Sequence, residues 1–139
     1  MPPAILAGCD DALVAGAPDL RGLWQVVEVI PDGDIATTSH PAIGSTQRIE
    51  QAGNRLVVTA GGIIHDMRCD GTVEHGVNDV AEFDKSTAIT VVATYEGDVH
   101  VLRPVGLPIE VRRWRDGDHM MWKYLNFTAR LERLGEPSA

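Results

Sequence analysis

The residues best suited to chemistry in this sequence are arginines near its C-terminal end, three of which fall within residues 111–115. A guanidinium group stays protonated at any ordinary pH, and its planar fork of donors matches a carboxylate. If this segment is a strand, Arg113 and Arg115 share one face while Arg112 and Trp114 share the other. Both faces then carry positive charge, so we expect at least one guanidinium to point into the folded domain.

An inward-pointing guanidinium needs a negative partner, because an unpaired buried charge costs several kcal/mol. Either a carboxylate of this chain (Glu50, Asp66 or Glu132) or the acidic group of a ligand supplies it, and bidentate pairing would orient such a ligand. We take Arg113 as the ligand-binding arginine. The alternative is a ladder of Arg–Glu pairs on a solvated face, each pair worth about 0–1 kcal/mol.

A second polar cluster lies at residues 63–75, where His65, Met67 and Cys69 would share one face of a strand. His65 is a candidate general base, since imidazole titrates near neutral pH, although a single histidine on a strand is more often a structural residue. His40, next to Pro41, is the second candidate for proton transfer. A metal site made of His65, Cys69 and His75 does not follow a known ligand spacing, so we predict no metal and no cofactor.

Apolar and aromatic side chains alternate near residue 120, where Met120, Trp122 and Tyr124 share one face. If that face points inward, it forms an aromatic and thioether wall suited to a flat or flexible apolar ligand. The opposite orientation would bury Lys123, which costs more desolvation. We therefore assign these three residues to the ligand-binding wall, while noting that core packing alone would also explain Trp122.

The composition excludes several classes of protein. The chain has 139 residues, 44% of them apolar and 23% charged, with a net charge of −8, which is typical of one soluble globular domain. The acidic balance disfavours nucleic acid and anionic lipid as partners. No apolar run approaches the roughly 20 residues of a membrane span. We expect a single domain over residues 1–139, a monomer or homodimer, whose partner is a small apolar or amphipathic molecule.

The N-terminal segment is predicted to be a short helix that caps the rest of the domain. Apolar side chains recur at helical spacing from Ile5 to Leu13, and Gly16 and Pro18 would end the helix. Residues 6–9 read LAGC, the form of a bacterial lipobox, but the five residues before them include no Lys or Arg. We expect a cytoplasmic protein, with an exported lipoprotein as the alternative if the true start lies upstream.

From residue 22 to residue 134 the hydrophobic period is two, and Asp-Gly, Glu-Gly and Gly-Asn turns recur at short intervals. Ten extended segments are predicted: 23–30, 46–51, 55–59, 63–69, 73–83, 88–95, 99–103, 109–115, 120–125 and 128–134. This pattern predicts an all-β, antiparallel up-and-down barrel of roughly eight to ten strands, closed because open edges invite aggregation. The irregular segment Ile35–Ser45 is expected to form a lid over one mouth.

Both ends of this region resemble the calycins, the superfamily of lipocalins and fatty-acid-binding proteins. Gly22-Leu23-Trp24 is similar to the G-x-W that opens the first calycin strand. The resemblance implies a barrel with Gly22 and Trp24 as structural residues, and a last-strand arginine, Arg130 or Arg133, packed across Trp24. It also implies that Arg113 and Arg130 meet a ligand carboxylate, as two late-strand arginines do in the fatty-acid-binding branch.

The sequence departs from that branch in two places. Glu132 stands where the family usually has Tyr, and residues 31–45 are too short for the two helices of the fatty-acid-binding proteins. The branch is therefore left unassigned. Three functions remain open: a binding protein for an apolar, acidic ligand; a cofactor-independent isomerase, cyclase or lyase using His65 or His40 with an arginine; and a structural or interaction module.

Overall fold

The computed structural model describes residues 4, 6, 11–61, 63–71, 77–80 and 88–137, and ten antiparallel strands run through them. The strands are β1 Gly22–Pro31, β2 Thr46–Ala52, β3 Arg55–Ala60, β4 Ile63–Arg68, β5 Val77–Val80, β6 Ala88–Tyr95, β7 His100–Pro104, β8 Val111–Asp116, β9 His119–Tyr124 and β10 Phe127–Gly135. They form one sheet in the order β4-β3-β2-β1-β10-β9-β8-β7-β6-β5. The predicted all-β up-and-down architecture is confirmed.

The sheet curls into a nearly closed barrel, and its two ends meet where β4 approaches β6. The short strand β5 pairs with the first half of β6. Beyond it, Asp70 bridges directly to Thr94, and the Gly71 amide donates to the Ala93 carbonyl at 2.9 Å. We call this contact the seam. The curling pairs most of the strand edges that an open sheet would expose.

Alternation along the strands separates the barrel interior from its outer surface. In β10, Ala129 and Leu131 are fully buried in the core whereas Glu132 is exposed. Across the sheet the core contains apolar side chains from β1, β2, β3, β4, β6, β9 and β10. The two-residue period that predicted the strands therefore also divides their side chains between the two faces.

One end of the barrel is covered by residues 14–20, here called the cap. The Val14 amide donates to Gly53 in the β2–β3 turn, and the Asp98 amide in the β6–β7 turn donates to Gly16. Leu20 is fully buried in the core beneath them. The cap thus ties together two turns at this end of the barrel.

The predicted N-terminal helix is not confirmed. Residues 11–18 form a turn rather than a helix, with Gly16 at a φ of +83°, and most of residues 1–10 lie outside the described part of the chain. A helix of one or two turns is unstable in isolation, and here the cap backbone bonds to the barrel turns instead. In the described residues we find no helix with the length and hydropathy needed to cross a membrane.

The predicted lid segment lies at the other end of the barrel. It is attached to β1 by the Val29–Thr37 bridge and by bonds that join Val26 to Gly44 and Ser45. Its half-buried Ala42 and Ile43 pack against the core. The segment between β1 and β2 therefore folds back over the barrel.

Candidate functional site

Arg113 lies inside the barrel, at the centre of a row of inward side chains on three neighbouring strands. Its register partners are His100 on β7 and Trp122 on β9. The Arg113 residue is only 6% exposed. Its Nε donates to Gln47 Oε1 at 3.0 Å, and its guanidinium carbon lies 5.6 Å from the centre of the Trp122 ring. Since Gln47 is on β2, the arginine reaches across the interior.

His100 is the second polar group of this row, and it is completely buried. Its Nε2 lies 3.3 Å from Met67 Sδ on β4, and its ring lies 5.9 Å from that of Tyr95. Burial, reinforced by the positive charge of Arg113, lowers the pKa of His100 to about 3. The imidazole is therefore neutral at physiological pH.

A third set of buried polar groups joins the site to the cap. Gln51 donates through Nε2 to the Pro18 carbonyl and to the Tyr95 hydroxyl, both at 2.9 Å, and its Oε1 accepts from the Leu20 amide at 2.7 Å. Burial raises the pKa of Cys69 to about 12 and also raises the pKa of Tyr95, so both groups are protonated at neutral pH.

Aromatic rings extend from Arg113 toward the end of the barrel opposite the cap. The Trp122 ring centre lies 5.0 Å from Tyr124 and 5.5 Å from Phe127, the latter edge-on. His40, from the segment between β1 and β2, stacks on Phe127 at 4.8 Å. These four rings, here called the aromatic wall, give this part of the interior an apolar surface.

The β9 side chains adopt the orientation with the lower desolvation cost, in which Lys123 stays in water. Met120 is fully buried in the core, and Trp122 and Tyr124 pack against it from the same face. Lys123 points outward and pairs with Asp32 at 2.6 Å. The three residues assigned to the ligand-binding wall thus face the interior.

The expectations for Arg130 are not met. Because Ala129 and Leu131 occupy the inner face of β10, alternation places Arg130 on the outer face, where its register partners are Met121 and Glu28. It therefore neither reaches the interior beside Arg113 nor covers Trp24.

Two other arginines surround Trp24 instead. The guanidinium carbon of Arg115 lies 5.4 Å from the Trp24 ring centre, which is within the range of a cation–π contact. Arg133, the second residue named by the resemblance, donates through Nε to the Arg21 carbonyl at 3.2 Å. Trp24 is fully buried, and its Nε1 donates to the Leu20 carbonyl at 2.8 Å, which joins β1 to the cap.

The carboxylates proposed as partners for an inward arginine lie on the other side of the sheet. Asp66 pairs with Arg55 on the outer face, and Glu132 is exposed. Glu50 is buried on the outer face of β2, where it accepts from the Leu6 amide at 2.7 Å and lies 3.9 Å from Arg48 Nε.

The two histidines proposed from the sequence for proton transfer lie in different parts of the barrel. His65 is half-buried on the inner face of β4, opposite Val58, while His40 belongs to the aromatic wall. Among the described residues no group of three or more His, Cys, Asp or Glu side chains is arranged to hold a metal ion. His75, the third residue of the rejected metal site, lies outside the described part of the chain.

Searches against protein-family models and against curated proteins each returned no match to this chain. The function proposed below therefore rests on the contacts of Arg113, His100 and the aromatic wall.

Sequence reasoning missed His100, Gln47 and Gln51 as parts of the site. Gln47, Ile49 and Gln51 alternate with Arg48 and Glu50 in β2, so both faces of this strand carry polar groups and the pattern does not select the inner one. His100 is flanked by Val99 and Val101. An imidazole in such an apolar strand was the available signal for a buried histidine.

Proposed function

We propose that this protein binds a small apolar molecule with an acidic group inside its barrel, and that Arg113 pairs with the acid. The observation that carries the proposal is the position of Arg113: a permanently charged side chain in the interior, beside an aromatic wall. A pocket of this kind, mostly apolar with a few placed polar groups, is typical of small-molecule sites.

The electrostatics of the row support an anionic ligand. The charge of Arg113 helps to lower the pKa of His100, so the guanidinium acts on the groups beside it in the row. The Gln47 bond and the Trp122 ring hold the arginine in one orientation. A fork of donors fixed in this way is suited to a carboxylate, because less conformational entropy is lost on pairing.

The aromatic wall supports an apolar body for the ligand. It begins at the ring that contacts Arg113 and continues through Tyr124 and Phe127 to His40. A ligand with its acid at Arg113 and its apolar part along these rings would point toward the end opposite the cap.

We also propose that the fold is calycin-like. The motif Gly22-x-Trp24 opens β1, and Arg133 of the last strand lies so close that a Cβ on Gly22 would be 2.8 Å from its Nε. A last-strand arginine against the G-x-W tryptophan is the arrangement that the resemblance implies, with Arg133 rather than Arg130 in that place. The same resemblance supports a ligand in the barrel, although a fold does not by itself determine function.

Calorimetric titration of the purified protein with phenylacetate and decanoate, each against its neutral primary amide, tests the binding proposal. We expect the acids to bind and Arg113→Gln to weaken them by about 10- to 100-fold, the range for charge-assisted hydrogen bonds. Arg112→Gln is the matched control, since Arg112 faces outward and pairs with Glu110 at 2.7 Å. Absence of acid binding, or equal affinity in the Arg113→Gln variant, would refute the proposal.

A cofactor-independent enzyme in the same barrel is the second candidate. One observation favours it: the imidazole of His65 lies on the inner face of β4, on the same side of the sheet as the core. In that case His65 or His40 moves a proton while Arg113 stabilises negative charge on the substrate. Turnover of a bound acid that is lost in His65→Gln, with binding retained, would establish this function over simple binding.

A further inference from the structure

We propose that the site selects acids that carry a hydroxyl group beside the carboxylate, and that His100 Nδ1 accepts the hydrogen bond from that hydroxyl. This inference rests on the proposed function, because it assumes that Arg113 holds the carboxylate. It adds the chemical class of the ligand and the residue that distinguishes this class from simple acids.

The first observation is an unused polar atom in the most buried histidine. His100 has no exposed surface, and its Nδ1 has no hydrogen-bond partner among the residues that the structure describes. Buried polar atoms are nearly always hydrogen-bonded, since a buried polar atom without a partner loses its hydration and gains nothing in return. A ligand hydroxyl would remove this cost.

The second observation favours Nδ1 as the acceptor. The thioether of Met67 has no proton to give, so a hydrogen bond to it from His100 requires the proton on Nε2. The imidazole is neutral, because burial and Arg113 keep its pKa near 3, and a neutral ring has one proton. Nδ1 therefore carries a lone pair, which accepts from a hydroxyl but repels a carboxylate.

The third observation places the residue that carries this acceptor next to residues that carry donors. His100 and Arg113 are direct cross-strand partners, as are Arg113 and Trp122, and such partners have Cβ atoms about 5 Å apart. The Trp122 Nε1–H is also buried without a partner among the described residues. Two donor-bearing side chains and one acceptor-bearing side chain thus lie at adjacent positions of one row, which is the set of groups that a carboxylate with a neighbouring hydroxyl requires.

The test compares mandelate, phenylacetate and α-methoxyphenylacetate by calorimetric titration. Mandelate carries the hydroxyl, phenylacetate lacks it, and the methyl ether keeps the oxygen but has no proton to donate. We expect mandelate to bind about fivefold more tightly than phenylacetate, the worth of one hydrogen bond, and the ether to show no such gain. His100→Leu should abolish the preference for mandelate, and His100→Asn, whose side-chain oxygen replaces Nδ1, should restore part of it.

A ¹⁵N NMR measurement on the unmodified protein covers the case in which His100→Leu does not fold. Mandelate should shift the Nδ1 resonance of His100 in the direction of a hydrogen-bonded acceptor, whereas phenylacetate should not. Equal affinities for mandelate and phenylacetate, or an unchanged Nδ1 resonance, would overturn this inference while leaving acid binding at Arg113 intact. If none of the acids binds, the proposed function fails and this inference fails with it.

Discussion

His100 and Arg113 are polar side chains that the barrel holds away from water in direct register with each other. Arg113 remains charged, and His100 gives up its proton, because two adjacent cations in the interior would repel each other and lose hydration. The histidine therefore links folding stability to pH.

The free energy of unfolding should decrease as the pH falls from 7 to 5. An unfolded histidine has a pKa near 6.5 and binds a proton in this range, whereas folded His100, with a pKa of about 3, does not. Because the unfolded state then holds more protons, acid favours unfolding, by about 2 kcal/mol over these two pH units. Urea denaturation at a series of pH values measures this change.

The control for this prediction is His100→Asn, which removes the titrating group. The variant should lose the part of the pH dependence that belongs to His100, and its stability curve should run parallel to that of the unmodified protein above pH 7. A variant whose stability still falls as steeply from pH 7 to 5 would show that other groups are responsible.

Gly22 is a second position at which a single substitution should change the stability of the fold. Its φ is +157°, which side chains rarely adopt, and a Cβ there would lie 2.8 Å from Arg133 Nε and 3.0 Å from Trp24 Nε1. Gly22→Ala should therefore lower the free energy of unfolding by about 1–3 kcal/mol. Gly117→Ala, with φ +60° but nothing within 4 Å of the new Cβ, should cost less. Equal losses in thermal denaturation would exclude the close approach as the cause.

At the scale of elements, the cap depends on one side chain of β2. Gln51 bonds to Pro18, Leu20 and Tyr95, and its amide supplies the donor and the acceptor that these partners need. Gln51→Leu should cost about 2–4 kcal/mol, because it leaves buried backbone groups of the cap without partners.

Tyr95→Phe is the matched comparison for Gln51→Leu. It removes only the hydroxyl that accepts from Gln51, and it leaves the two cap bonds intact. We expect a loss of about 1 kcal/mol in chemical denaturation. If Tyr95→Phe were as destabilising as Gln51→Leu, the bonds to the cap would not be what Gln51 contributes.

The strands were predictable, but the direction of the arginines was only partly so. Alternating apolar residues and Gly-containing turns marked β1–β4 and β6–β10 to within about two residues. In β8, arginines on both faces left open which of them points inward, and the register of Arg113 with His100 and Trp122 shows that it is Arg113.

The prediction for Arg130 followed the family resemblance. The local pattern, with apolar Ala129 and Leu131 on either side, correctly indicates that Arg130 points outward. Cross-barrel contacts such as Arg113–Gln47 depend on closure and leave no local trace in the sequence.

At the scale of the whole molecule, the seam is the weakest part of the barrel wall. β1 and β10 are paired over almost their full length, while beyond β5 the sheet is closed by the isolated Asp70–Thr94 bridge and the bond from the Gly71 amide to Ala93. Sub-global openings follow the regions with the fewest buried contacts.

Native-state hydrogen exchange should therefore separate the seam from the central strands. The Gly71 amide should exchange at least about 100-fold faster, after correction for intrinsic rates, than the amides of Ala129 and Leu131, which lie in a strand paired on both sides. Similar protection at all three amides would mean that the barrel opens only by global unfolding.

The cap has a kinetic consequence for any guest. Leu20 is seated in the core and Gln51 fastens the cap to β2. Under the proposed function, a molecule paired with Arg113 would therefore arrive and depart past the aromatic wall, at the end where His40 contacts Phe127. Its residence time would then depend on how often the hydrogen bonds that join Thr37, Gly44 and Ser45 to β1 open. Substitutions at the guanidinium would change affinity, and substitutions in the segment between β1 and β2 would change residence time.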